Sequence, residues 1–316
     1  MAENILLKEK RALLPSALFK FVQLIKTNYF QGDFLCLIIL THSLTHSLTH
    51  SLTHSLTHYQ PTPRLLHGDC LKLMPRELAD NSIDLVVCDL PYGTTNAKWD
   101  SVLDLEALWE QYKRVVKPNG AILLFAQTPF DKILGCSNIE QLRYEIIWEK
   151  THATGHLNAK KMPLKAHENI LVFYEKLPTY NPQKTQGHTR KVSSAKSKTK
   201  ALEKHKEAMK SGEAIYGAYN ETSYDSTERY PRSVQVFSKD VQTSKLHPTQ
   251  KPVALLEWLI KTYSNLGDAV LDNTMGSGST GVACINTGRK FTGIELDEKY
   301  FNIANNRILK TMNNKE

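Results

Sequence analysis

Short apolar runs alternate along this chain with longer stretches in which apolar residues recur every three or four positions. Runs of the first kind fall at residues 64–67, 83–88, 121–126, 268–272 and 290–294, and each predicts a strand. In Ile83-Asp84-Leu85-Val86-Val87-Cys88, two valines beside Ile and Leu fit a strand covered on both faces, as in a parallel sheet. Stretches of the second kind predict helices over residues 70–78, 105–116, 202–210, 253–263, 282–287 and 298–309, with a short one over 130–134. Lys117-Pro118-Asn119-Gly120 should stop the helix that begins at Leu105. Residues 144–148 and 170–174 predict an antiparallel pair. Strand and helix taking turns in this way is the α/β pattern.

Two stretches break the alternation. Residues 176–246 have no strong period and are crowded with Lys, Ser, Thr and Tyr, among them Tyr216, Tyr219, Tyr224 and Tyr230. Residues 41–58 are Thr-His-Ser-Leu four times over, then Thr-His. That tract is too polar for a core, and Ser and Thr are indifferent helix formers, so a histidine face for metal is the weaker reading. A tetranucleotide repeat returns to phase every four codons, and tandem ACTC units encode this tetrapeptide. Residues 1–58 therefore read as a disordered appendage that the folded part does not require.

Charge sharpens this division. The formal charge is +8, of which residues 1–58 supply +2 and residues 181–213 supply +6, so the rest sums to zero. A basic excess confined to one segment suits phosphate contacts there, although a solvated lysine-rich loop carries the same charge.

The candidate chemistry lies at strand ends, where open α/β sheets bind their ligands. Strand 83–88 runs into Asp89-Leu90-Pro91-Tyr92. Asp89 and the Leu90 carbonyl can accept hydrogen bonds from an amino group, Pro91 stiffens the turn, and Tyr92 offers a face to a planar ring. An exocyclic amine on a flipped-out base needs these features, and an ordinary Asp-Pro turn would also display them. Strand 268–272 ends at Asp272 and leads into Asn273-Thr274-Met275-Gly276-Ser277-Gly278-Ser279-Thr280-Gly281. Glycines there let the backbone approach a ligand, and the next strand closes on Glu295, placed for ribose hydroxyls.

Together the two stretches resemble the S-adenosylmethionine-dependent DNA amino-methyltransferases. Asp89-Leu90-Pro91-Tyr92 is similar to their (Asp/Asn/Ser)-Pro-Pro-Tyr motif, with Leu90 in place of the usual first Pro, and residues 271–280 to their methyl-donor loop. The catalytic motif comes first, which is the order of the beta group, and the resemblance covers residues 64–310. It implies a Rossmann-like, seven-stranded, mostly parallel sheet of the class I methyltransferase type. That sheet would be circularly permuted, with strand 64–67 beside strand 290–294 and one antiparallel strand near an edge. It further implies a catalytic half at 59–175, a target-recognition insertion at 176–246 and a donor-binding half at 247–316. Asp69 would lie near the donor's adenine. Lys251, in His247-Pro248-Thr249-Gln250-Lys251-Pro252, would meet the donor's carboxylate. Asp272, Gly276, Ser277, Gly278, Ser279 and Glu295 would complete that site. Asn273-Thr274 stands where Pro-Phe is common.

The expected substrate is double-stranded DNA, methylated at adenine N6 because Asp opens the tetrapeptide; cytosine N4 is the alternative. A non-catalytic DNA-binding regulator would share the basic segment but not both motifs. A nicotinamide oxidoreductase would explain Gly276, Gly278 and Gly281 but not Asp89 to Tyr92. A protein-glutamine methyltransferase would begin the tetrapeptide with Asn and carry the donor loop upstream. No metal is expected. Cys36, Cys70, Cys88, Cys136 and Cys284 show no paired spacing, which suits free thiols in the cytoplasm. The longest apolar run, residues 34–40, is too short to span a membrane. A cognate restriction endonuclease is a candidate partner, and monomer and homodimer both remain open. Trp99, in the polar loop after Gly93, is expected to anchor that loop.

Overall fold

The computed structural model describes residues 62–93, 102–193, 203, 206–212, 224–238 and 250–314. The chain divides into two units, Met1–Tyr59 and Gln60–Glu316, and all described residues belong to the second. The repeat tract, Trp99, Tyr216, Tyr219 and His247-Pro248-Thr249 lie outside the described residues.

Helices and strands take turns: β1 (Arg64–His67), α1 (Cys70–Glu77), β2 (Ile83–Asp89), α2 (Leu105–Val115), β3 (Val116–Ala126), α3 (Phe130–Ser137), β4 (Leu142–Thr154) and β5 (Lys165–Phe173). Then come β6 (Lys191–Ser193), β7 (Tyr224–Ser226), β8 (Val234–Phe237), α4 (Val253–Tyr263), β9 (Ala269–Asp272), α5 (Ser279–Thr287), β10 (Lys290–Glu295) and α6 (Glu298–Asn313). One sheet has the order β1-β10-β9-β2-β3-β5-β4-β8, and β6 pairs with β7 apart from it. Every neighbouring pair in the large sheet is parallel except those made by β5. The permutation is explicit in the register of β1 on β10, which runs from Arg64 opposite Thr292 to His67 opposite Glu295.

The central strands are buried on both faces because helices cover both. Leu85, Val87, Leu123, Phe125 and Val270 pack with α4, α5 and α6 through Leu255, Leu259, Ile285 and Ile308. Their neighbours Val86, Cys88, Leu124 and Leu271 face the other way, onto Met74, Leu108, Tyr112 and Leu134 of α1, α2 and α3. Each such leucine removed from water contributes about 1.5–3 kcal/mol. Continuous apolar runs, rather than alternating ones, follow from this two-sided cover.

Two expectations need correction. The sheet has eight strands and not seven, because Val234–Phe237 adds beside β4 with Ile147 opposite Val234, and Trp148 Nε1 donates to the Phe237 carbonyl at 3.0 Å. Its period-two pattern, Val-Gln-Val-Phe, is only four residues long inside a polar segment. Lys117 to Gly120 do not separate helix from strand; they bulge within β3, whose partners jump from Ile83 opposite Val116 to Leu85 opposite Ala121. Lys117 is held there by Asp84 at 2.5 Å.

Among the described residues, no helix is long and apolar enough to cross a membrane, and no group of His, Cys, Asp or Glu is placed to hold a metal ion. Cys70, Cys88, Cys136 and Cys284 are free thiols.

Candidate active site

Asp89 ends β2 opposite Phe125 of β3, with β9 on the other flank of the strand. The chain leaves the sheet there because Leu90 turns into the core, 3% exposed, and Pro91 cannot continue a ladder. Tyr92 then folds back. Its ring stacks on Phe130 at 5.1 Å, and its hydroxyl donates to Asp89 Oδ1 at 2.7 Å. Asp89 Oδ2 accepts from Lys251 Nζ at 2.5 Å.

Lys251 is the first surprise. Expected on the donor's carboxylate, its ammonium lies instead between two protein carboxylates, Asp89 and Glu168, the latter at 3.3 Å. The physical reason is its place in the lead-in to α4, which buries it to 8% exposure over the Phe125 ring, where an unpaired ammonium would be costly. Glu168, from β5, also pairs with Lys150 of β4 at 2.5 Å, and both side chains are buried. Asp89, Lys251, Glu168 and Lys150 thus form a buried chain of alternating charge. Burial pushes the Asp89 carboxyl up, and the Lys251 ammonium offsets part of that rise. Burial alone would push Lys251 down and Glu168 up. Asp89 and Glu168 hold the ammonium above its ordinary value, and Lys251 with Lys150 hold Glu168 below its own.

The glycine loop between β9 and α5 meets this turn directly. Thr274 Oγ1 donates to the Asp89 carbonyl at 2.9 Å and lies 3.0 Å from Cys88 Sγ. Burial keeps Cys88 a thiol. Asn273 is buried, accepting from the Tyr112 hydroxyl at 2.5 Å. Asp272 is turned inward: its oxygens take the Thr274 N–H at 3.2 Å and the Thr280 hydroxyl at 2.6 Å. Burial raises its carboxyl to about 7. Asp272 therefore shapes the loop.

Glu295, closing β10, accepts the Gly276 N–H at 2.8 Å and the Asp297 N–H at 2.9 Å. Burial pushes its carboxyl up. Asp69, closing β1 next door, caps α1 by accepting the Leu71 N–H at 3.0 Å. Gly278 has φ of 77°, and a Cβ there would meet Ala304 Cβ at 2.9 Å, so this glycine admits α6 rather than a ligand. Ser277 and Ser279 are buried beside it, with Arg307 donating to Ser279 Oγ at 2.9 Å and to the Ser277 carbonyl at 3.2 Å. The N-terminus of α5 has no side-chain cap.

The structure thus brings Asp89, Leu90, Pro91, Tyr92 and Lys251 to one place and Asp69, Asp272, Gly276, Ser277, Gly278, Ser279 and Glu295 to the adjoining strand ends. Glu168 and Lys150, which the sequence does not single out, complete the arrangement together with Thr274, which the sequence marks only as a departure from Pro-Phe. Lys150 and Glu168 fall just outside the apolar runs 144–148 and 170–174, among other charged residues, so no local signal marks them.

A carboxylate turn beside a glycine loop, both at the carboxyl ends of a permuted parallel sheet, is the arrangement of class I methyltransferases. The DNA methylase family of N6 and N4 methyltransferases matches residues 83–306, and the chain belongs to it. The chain is 28% identical over 258 residues to the Type II methyltransferase M.HpaI of Haemophilus parainfluenzae, covering 78% of this chain and 74% of that protein. It is 28% identical over 260 residues to DNA adenine methyltransferase YhdJ of Escherichia coli (strain K12), covering 77% and 82%. The crystal structure of an M1.HpyAVI–SAM complex has the same fold, with a TM-score of 0.53 and 23% identity over 78% of this chain and 99% of that one.

Proposed function

We propose that this DNA methyltransferase moves a methyl group from S-adenosylmethionine to the exocyclic amine of a base flipped out of double-stranded DNA, with adenine N6 as the target. The observation that carries the reading is the hydrogen bond from Thr274, in the glycine loop, to the carbonyl of Asp89, which gives donor site and base site a common wall. Glu295 and Asp69, on neighbouring strand ends, fit the hydroxyl and amine donors of a nucleoside. Each carboxylate oxygen keeps a lone pair beyond those the backbone uses. Ser277, Ser279 and the uncapped first turn of α5 complete the donor site, while Asp272, Gly276 and Gly278 hold its shape.

When bound, the donor supplies an electrophilic methyl carbon on a sulfonium. The chain's own residues act on the amine. An aromatic amine is a poor nucleophile because its lone pair is delocalised into the ring. Asp89 Oδ1 and the Leu90 carbonyl accept its two N–H bonds, which favours a pyramidal nitrogen and stabilises the positive charge that develops there. Lys251 holds Oδ2 and leaves Oδ1, with its second lone pair, to the amine. Tyr92, backed by Phe130, presents an aromatic wall for the base. Direct displacement of this kind needs neither a metal nor a covalent enzyme intermediate: the sulfonium would leave as a neutral thioether, and the methylated nitrogen would lose one N–H proton to water.

In the same reading residues 59–175 are the catalytic half, 176–246 the target-recognition insertion, 247–316 the donor half and 1–58 a dispensable appendage. The protein works in the cytoplasm, as a monomer or homodimer. A cognate restriction endonuclease accompanies it, in keeping with the Type II class of its relative M.HpaI. Asp at the head of the tetrapeptide and the adenine specificity in the name of YhdJ both support adenine. Nucleoside mass spectrometry of DNA treated with the protein and donor should find N6-methyladenine, and N4-methylcytosine in its place would reverse the assignment.

A further inference from the structure

Alternation along the strands carries the charged residues of the site to one face of the sheet. On β2, Leu85 and Val87 lead to Asp89; on β5, Ile170 and Glu168 are alternate residues; on β4, Ile146 and Trp148 lead to Lys150. The apolar members of these series all pack in the core that contains α4. Glu168 stands opposite Trp148, and Lys150 reaches it on the diagonal, Nζ to Oε1 at 2.5 Å, with 3% and 8% of the Lys150 and Glu168 side chains exposed. β8 closes the far side. Its Phe237 is the register partner of Lys150, its ring centre lies 6.5 Å from that of Trp258 in α4, and its carbonyl accepts from Trp148 Nε1. The Lys150 ammonium sits 5.3 Å from the centre of the Trp148 ring.

Surroundings of this kind suit an apolar side chain, and burying an ammonium among them is costly. The charges around Lys251 explain the lysine. Lys251 lies 2.5 Å from Asp89 Oδ2 and 3.3 Å from Glu168 Oε2, so two carboxylates share one cation. Those three groups alone carry a net negative charge, and two carboxylates sharing a buried site drive one of them to take a proton. Lys150 brings a second cation to Oε1 of Glu168, which makes the set neutral. Tyr92 from the catalytic turn and Asp272 from β9 also face Asp89, and neither supplies positive charge.

We propose that Lys150 is a positioning residue for methyl transfer: by satisfying Glu168 it leaves the Lys251 ammonium to Asp89, which keeps Asp89 ionised with Oδ1 open to the amine. It acts through Glu168 and Lys251, from the strand on which the recognition segment docks β8. This rests on the methyltransferase reading and adds to it a residue three strands away from the catalytic turn.

The test compares the full-length wild type with Lys150→Met, Glu168→Gln and the double variant K150M/E168Q. The readout is the pH profile of single-turnover methyl transfer to amplified, methyl-free genomic DNA at saturating donor. Lys150→Met leaves two carboxylates to one cation, so the acidic limb should move to higher pH by about one unit, the low end of what a neighbouring charge produces. The double variant removes one charge of each sign and should return the limb to near its wild-type position. A role in packing alone predicts the opposite, since the double variant would be at least as impaired as the single. Donor affinity by calorimetry should be unchanged throughout. Should Lys150→Met fail to fold by its melting curve, the same quantity is read between Glu168→Gln and the double variant, which differ only at Lys150; the limb should lie at higher pH in the double. A wild-type limb in Lys150→Met, a double variant displaced as far as the single, or no difference between Glu168→Gln and the double would overturn the proposal. Failure of the methyltransferase reading looks different: the wild-type protein would incorporate no methyl into DNA at any pH.

Discussion

Replacing Lys251 with Met separates the role read from the structure from the role expected from the sequence. The substitution keeps most of the length of the side chain and removes its charge. In the wild type, Lys251 lies 2.5 Å from Asp89 Oδ2 and 3.3 Å from Glu168. Taking one partner from a buried ion pair typically costs about 3–5 kcal/mol. Glu168 keeps Lys150, so the loss falls mainly on Asp89. The groups facing Asp89 after the change would be Tyr92 from its own turn, Glu168 from β5 and Asp272 from β9. Loss of an adjacent opposite charge raises a carboxyl pKa by about 1–3 units. Catalysis needs Asp89 ionised, so the acidic limb of kcat should move to higher pH by about that amount. Glu168→Gln removes a like charge instead and should move the same limb to lower pH. The assay is the pH profile of methyl transfer at saturating donor, with donor affinity from calorimetry unchanged in both variants. A Lys251→Met protein with a wild-type pH profile and weakened donor binding would refute the reasoning and return Lys251 to the donor's carboxylate.

Gly278→Val should lower the melting temperature and abolish donor binding together, because positive-φ strain and a clash with Ala304 each cost about 1–3 kcal/mol; an unchanged melting curve would contradict this. Asp272 has its carboxyl raised to about 7 when folded, so the unfolded chain releases this proton first and stability from this group falls as pH rises from about 4 to 7. Asp272→Asn should flatten the measured stability over that window, and an identical pH dependence would disprove the inward role of this carboxylate. The Thr-His-Ser-Leu tract at 41–58 predicts replication slippage of ACTC units, each gain or loss shifting the downstream frame. Lineages of one strain should differ in repeat number with methylation following the frame, and sequencing that finds mixed synonymous codons across the tract would refute the switch.

What the sequence disclosed follows from how local each feature is. Strand β1 and helix α4 begin and end where their apolar patterns do, since a few neighbouring side chains decide burial. The turn at Asp89 and the loop at 272–280 were legible because proline and glycine act on their own backbone. The partners of Lys251 were not. Its bond to Asp89 spans 162 residues, and that from Thr274 to Asp89 spans 185. Helix-lead-in composition does not show which carboxylates a lysine will meet. The glycine pattern at Gly278 suggests room for a ligand, whereas α6, the helix after α5, takes that room. The strand at Val234–Phe237 was hidden by its shortness, because four alternating residues in a polar segment carry too little pattern.

The central claim is that Asp89 serves the base amine while the glycine loop serves the donor. Its most direct test is labelled-methyl incorporation into DNA by the wild-type and Asp89→Ala proteins, with donor binding to each measured alongside. The wild-type protein should label DNA. Asp89→Ala should bind S-adenosylmethionine normally and lose at least about 2–4 kcal/mol of transition-state stabilisation, a fall of 30-fold to roughly 1,000-fold in rate. Near-normal incorporation by Asp89→Ala, or no incorporation by the wild type, would contradict the account.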